Sequence, residues 1–167
     1  MIRYVSGDIL LSDAKAIAHG VAPNDDFGQG LAHTLRDNLP AMYKDFRHFC
    51  HTQHPKSGSL WTWGGAEGPR IVALFTQDGA YGHGAKPGKA TTAHVNHALK
   101  ELAKEVRQEG WTSLALPRLA TGVGGLDWQE VKPLIEHHLG DLGIPVLVYE
   151  TYRPQQAADE GLTQHAA

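Results

Sequence analysis

Glycine is not spread evenly along this chain, and two of the loops in which it gathers share one arrangement: a short apolar run, a glycine-bearing turn, then an amphipathic stretch. Phe27-Gly28-Gln29-Gly30-Leu31-Ala32 comes after the apolar run Ala14–His19, and Ala120-Thr121-Gly122-Val123-Gly124-Gly125 comes after Ser113–Leu116. A strand leading through glycines into a helix presents the unsatisfied amides of the helix start, and glycine lets a ligand approach the backbone closely. Each loop is therefore a candidate phosphate site. Neither ends in the Gly-Lys-Ser/Thr of a nucleoside-triphosphatase loop, so two neutral loops holding a diphosphate between them fit better than ATP hydrolysis. A third glycine-rich connection, Gln77–Gly88, follows the run Ile71–Thr76.

Around these loops strand-like and helix-like segments alternate. Ile2–Val5, Ala14–His19, Leu60–Trp63, Ile71–Thr76, Ser113–Leu116 and Val146–Tyr149 read as strands, and the unbroken apolar run Ile71–Thr76 is of the kind covered on both faces. The stripe Leu31, Leu35, Leu39, Met42, Phe46 is interrupted by Pro40, which predicts two helical pieces or one kinked helix. Thr91–Glu109 is the clearest helix, with Val95, Ala98, Leu99, Leu102 and Val106 on one face, a threonine cap and Gly110 at its end. A last helix runs from Trp128 to about Leu139, and Pro133 is expected to bend it or shift its start. Such alternation predicts a sheet covered by helices on both faces. Ligands of these folds sit beyond the carboxyl ends of the strands, where the glycine-rich loops would converge.

With 167 residues, 41% hydrophobic and 20% charged, one domain is expected. It is placed at residues 1–152, with 153–167 as a polar, alanine-rich tail expected to be disordered. A net charge of -3 leaves no basic excess for gripping a nucleic-acid backbone. Met1–Gly7 leads into a strand pattern rather than a signal peptide, and no apolar run approaches the roughly 20 residues of a membrane span. These features, with the lone Cys50, lead us to expect a cytoplasmic protein without membrane contact. Nothing demands more than a monomer.

Among chemically capable residues, His19 ends a strand at the mouth of the first loop, beside Asn24, Asp25 and Asp26, which are also ordinary loop formers. Asp127 and Glu130 have the spacing of an aspartate capping box, a structural explanation for Asp127 that stands beside any chemical one. His48, Cys50, His51 and His54 invite a metal, since histidines three apart share a helix face, but nothing completes a closed site. No metal and no cofactor is expected.

Taken together, Gly7-Asp8-Ile9, the Phe27–Ala32 loop and Leu116-Pro117-Arg118 running into Ala120–Gly125 resemble the macrodomain pattern over residues 1–152. The resemblance implies a three-layer α/β/α fold with a central mixed sheet, and ADP-ribose as ligand. Gly125-Leu126-Asp127-Trp128 resembles the subgroup of the terminal ADP-ribose protein glycohydrolase and of bacterial antitoxins that reverse DNA ADP-ribosylation. Leu74-Phe75-Thr76, followed by a loop of Gly, His and Lys through His83, resembles the yeast ADP-ribose 1''-phosphate phosphatase.

The same resemblance implies roles. Asp8 would accept the adenine amine, Ile9 would wall the base pocket, and Tyr149 and Tyr152 would flank the base. Gly28, Gln29, Gly30, Thr121, Gly122, Val123, Gly124 and Gly125 would hold the diphosphate and distal ribose through backbone amides. Asp127 would act as general acid or base at the anomeric carbon or activate water there, and His19 would bond the distal ribose or carry a proton. One position departs from the pattern: Gln77 stands where the resemblance puts a lysine that attacks the sugar, and glutamine cannot form that adduct. Lys86 and Lys89 lie later in the same loop. The expected activity is therefore a non-covalent hydrolysis that removes ADP-ribose from modified proteins or nucleic acid; a 1''-phosphate phosphatase and a non-catalytic ADP-ribose reader are the alternatives.

Overall fold

The computed structural model describes residues 1–64, 68–79, 87–122 and 124–162. Its elements in chain order are β1 (Ile2–Gly7), β2 (Ala16–Val21), α1 (Gly30–Asn38), α2 (Pro40–Gln53), β3 (Leu60–Trp63), β4 (Arg70–Phe75), α3 (Thr92–Glu109), β5 (Leu114–Pro117), α4 (Trp128–Leu139) and β6 (Val146–Tyr152). The six strands form one sheet in the order β1-β6-β5-β2-β4-β3. Every neighbouring pair is parallel except β3 with β4. The central mixed sheet expected from the resemblance is therefore present.

Alternate residues of a strand face opposite sides, and this chain buries both sides. Ala16, Ala18, Val72, Leu74, Leu114 and Leu116 pack on one face against α3 and α4. Their neighbours Ile17, Ile71, Ala73, Phe75, Ala115 and Leu147 pack on the other against α1 and α2, through Leu35, Met42, Phe46 and Cys50. The unbroken apolar run of β4 reads as it does because both of its faces are covered. Pro40 starts α2 instead of kinking one long helix: it occupies the first turn, where its missing N–H costs nothing. The Thr91 side chain accepts the His94 N–H and caps α3. Pro133 lies inside α4, which begins at Trp128. No helix among the described residues is long and apolar enough to cross a membrane.

The expectation of a disordered tail does not hold for residues 153–162. They fold back over β1, Ala158 and Leu162 join the apolar cluster on the α1/α2 side, and Glu160 is buried. A polar composition conceals this, because the anchor is one carboxylate whose hydrogen-bond donors lie far away in sequence. Residues 163–167 are outside the described residues.

Candidate functional site

Parallel pairing brings the carboxyl ends of β1, β2, β4, β5 and β6 to a single edge of the sheet. A cavity of about 790 Å3 opens there. The connection after β2 contributes Gly28, Gln29 and Gly30, the one after β4 contributes Gln77, Gly88 and Lys89, and the one after β5 contributes Arg118, Thr121, Gly122 and Gly124. A smaller cavity of about 390 Å3 adjoins it, sharing Gly30, Leu31, Pro117, Tyr149 and Tyr152 and adding Gly7, Ile9, Leu10 and Thr34. The convergence inferred from the glycine-rich loops is what the topology builds.

The backbone of the β5–α4 loop has no room for a side chain at Gly124, where a Cβ would lie 2.7 Å from the Ala120 carbonyl and 2.9 Å from the Ala90 Cβ. The Gly124 carbonyl accepts the Ala90 N–H at 3.0 Å, so this loop is fastened to the segment that starts α3. Gly125 is exposed and lines neither cavity, and Val123 lies outside the described residues.

His19 has the parity of Ile17 and Val21, which turns it toward the α1/α2 side. It is 2% exposed and lines the larger cavity. Neither ring nitrogen has a hydrogen-bond partner among the described residues, a state the buried Thr76 hydroxyl shares. Burial lowers the His19 pKa to about 4. The ring is thus neutral near pH 7, suited to hydrogen-bond a ligand and unsuited to deliver a proton. Asp25, also in the lining, is shifted the opposite way: burial raises its carboxyl above the usual range, while the Phe27 N–H bonded to Oδ2 at 2.8 Å opposes the shift.

Gln77 is buried in the cavity wall, and its amide donates to the Gly88 carbonyl at 2.7 Å. Where a nucleophile was to be sought, a side chain instead ties the loop to itself. Lys89 is exposed at the cavity, whereas Lys86 and His83 lie outside the described residues.

Two residues with implied roles lie outside the linings of both cavities. Asp8 lines neither cavity. It is 6% exposed, and its two carboxylate oxygens accept the N–H groups of Leu10 at 3.0 Å and Gln155 at 2.9 Å. Its backbone neighbours Gly7, Ile9 and Leu10 form the wall instead. Asp127 is the exposed N-cap residue of α4 and is absent from both linings. Its side chain makes no cap hydrogen bond, so the capping box is not formed; its carbonyl accepts the Glu130 N–H at 2.9 Å and the Val131 N–H at 3.3 Å.

Leu10, Leu31, Pro117, Arg118 and Glu150 also line the cavities; none of them has a role assigned from the sequence, and Leu10 and Glu150 lie outside every motif. Pro117 ends β5, Arg118 directly follows it and Leu31 directly follows Gly30, whereas Leu10 lies in the turn after β1 and Glu150 within β6. Arg118 lies 5.7 Å from the Trp128 ring, whose Nε1 donates to Glu150 at 3.0 Å, and this assembly forms one rim of the larger cavity. Elsewhere, Cys50 is buried in α2 and accepts the Asn24 N–H at 3.1 Å. Among the described residues no group of three or more His, Cys, Asp or Glu is placed to hold a metal ion.

The Macro domain family model matches residues 26–135, more than half of the 167 residues. The chain is 29% identical over 153 residues to the DNA ADP-ribosyl glycohydrolase of Thermus aquaticus, covering 90% of this chain and 41% of that protein. It therefore spans about two fifths of that relative's length. It is 24% identical over 149 residues to the human ADP-ribose glycohydrolase OARD1, covering 89% of this chain and 90% of that one. The solved structure of the macrodomain of Thermus aquaticus DarG superposes with a TM-score of 0.79 at 28% identity, covering 90% of this chain and 98% of that chain. A mixed sheet between two helical layers, with the glycine-rich loops meeting at its carboxyl edge, is matched both by that structure and by the family pattern along the sequence, and the chain belongs to the Macro domain family.

Proposed function

We propose that this protein binds ADP-ribose across its two adjoining cavities and hydrolyses the bond between the distal ribose and an acceptor group. The observation that carries the reading is the division of the groove. Its smaller part is walled by Ile9, Leu10, Leu31, Tyr149 and Tyr152, a surface for a flat apolar base. Its larger part brings the β2–α1 and β5–α4 loops together, suited to a diphosphate held by backbone amides, and His19, Gln77 and Asp25 line that same part, where the distal ribose would lie. The kinship with proteins named as ADP-ribosyl glycohydrolases supports the reading.

No lysine stands at the Gln77 position, so water attacks directly: its oxygen bonds to the anomeric carbon, the bond to the acceptor breaks with its electrons, and a carboxylate takes the water proton. We assign that carboxylate to Asp127. It ends the β5–α4 loop, whose residues line the larger cavity, in the stretch Gly125-Leu126-Asp127-Trp128 that resembles the glycohydrolase subgroup, and no cap hydrogen bond engages its side chain. The acceptor is a modified protein side chain or a modified nucleic-acid base.

The test is incubation with a peptide ADP-ribosylated through a glutamate ester, reading released ADP-ribose by mass spectrometry. Release supports the hydrolase. Calorimetric binding of ADP-ribose without release, from this substrate and from ADP-ribosylated DNA, makes the protein a reader, the reading that the exposed position of Asp127 favours. Inorganic phosphate liberated from ADP-ribose 1''-phosphate makes it a phosphatase.

A further inference from the structure

Beyond β6 the described residues form no further helix or strand, yet they insert a carboxylate into the protein. Glu160 is 6% exposed. Its Oε2 accepts the Tyr149 hydroxyl at 2.7 Å and the Ser12 hydroxyl at 2.5 Å, and its Oε1 accepts the Asp13 N–H at 2.9 Å. Arg3 donates to the Glu160 carbonyl at 2.8 Å. A carboxylate removed from water is tolerated only when such donors replace its hydration, so these bonds fix the segment as well as the side chain.

Between β6 and Glu160 the segment lies directly on the end of β1. The Arg153 N–H donates to the Gly7 carbonyl at 3.0 Å and the Asp8 N–H to the Gln156 carbonyl at 2.7 Å. The Gln155 N–H donates to the Asp8 carboxylate at 2.9 Å, which in turn accepts the Leu10 N–H. Gly7 permits this contact, because a Cβ there would lie 2.8 Å from the Ala158 Cβ. Gly7, Ile9, Leu10 and Tyr149 are all walls of the smaller cavity. That wall is therefore backed by a strap whose anchor is Glu160.

We propose that Glu160 is a positioning residue for base recognition: it pins the Tyr149 hydroxyl and staples the 153–162 strap against Asp8, which sets the Ile9–Leu11 turn at the distance a purine requires. The proposal rests on the reading that the smaller cavity receives the adenine of ADP-ribose. It adds a determinant outside the segments that resemble the family, and it makes the Asp8 carboxylate a joint between turn and strap. Removing Glu160 leaves the buried Tyr149 hydroxyl without its acceptor, and the strap without its deepest contact.

The test compares the wild type with Glu160→Ala and Glu160→Gln by calorimetry with ADP-ribose and by amide hydrogen exchange of the unliganded protein. Glu160→Ala is expected to weaken ADP-ribose binding about tenfold. It should speed exchange at Asp8, Leu10 and Gln155 while the amides of α3 keep their protection. Glu160→Gln, whose amide can accept from Asp13 and donate to the two hydroxyls, should recover most of both. Unchanged affinity in Glu160→Ala overturns the proposal, and so does faster exchange spread equally through α3, which would make Glu160 a general stabiliser. A wild type that does not bind ADP-ribose sinks the functional reading and with it the role in base recognition, whereas the exchange pattern still decides whether Glu160 holds the wall.

Discussion

His19 stands edge-on to Phe27, with ring centroids 5.7 Å apart and planes at 85°. The same imidazole thereby closes an aromatic cluster on one side and lines the ligand cavity on the other. This packing excludes water from the ring, and its low pKa follows. In the unfolded chain a histidine titrates near 6.5, whereas here the ring stays neutral down to about 4. Between those values the unfolded state binds more protons, so the His19 contribution to stability is whole above about pH 6.5 and is lost as the pH falls toward 4. The slope reaches about 1.4 kcal/mol per pH unit. Urea unfolding at pH 7 and pH 5 should show a larger loss in wild type than in His19→Leu; equal losses would count against the neutral buried ring.

Catalysis offers a choice between two carboxylates. Asp127→Ala is expected to lower ADP-ribose release by about 100-fold or more while leaving ADP-ribose affinity within a few-fold. Asp25→Asn should change the rate far less. If the two results are exchanged, Asp25, the carboxylate that lines the cavity, performs the chemistry.

Gln77→Lys places an amine where the wild type has an amide bonded to Gly88. Intact-protein mass spectrometry after exposure to an ADP-ribosylated substrate should detect a covalent ADP-ribose adduct on the variant, trapped by borohydride, and none on the wild type. An adduct on the wild type would direct attention to Lys89.

Gly124→Ala forces a methyl group toward the Ala120 carbonyl and the Ala90 side chain, both closer than real contacts allow. The β5–α4 loop must shift, and because its amides are the proposed phosphate ligands, ADP-ribose affinity should fall at least tenfold, measured by calorimetry. Affinity equal to wild type would show that this loop does not hold the diphosphate.

Much of the site could be read in the sequence because its elements are local. The apolar run of β4 announced a doubly covered strand, Pro40 announced the break between α1 and α2, and glycines after strands marked the loops that line the cavity. Asp127 was less legible. Its spacing to Glu130 suggested a capping box, but helix caps depend on a side-chain rotamer that spacing does not specify, and here the carboxylate makes no cap hydrogen bond.

Asp8 and Glu160 lay further from view. A short motif beside Gly7 made Asp8 look like a base-binding residue, and nothing near it in sequence revealed that Gln155 would take one of its oxygens. Nothing in a polar, alanine-rich tail singled out Glu160. By itself, then, the sequence determined what short-range chemistry determines: the period of each strand and helix, the glycines that permit close backbone approach, and the family these spell out in order. Only the tertiary structure decided which carboxylates line the cavity and which hold the protein together. A carboxylate's role is set by the donors that replace its water, and those of Glu160 come from Ser12, Asp13 and Tyr149, which only folding brings to one place.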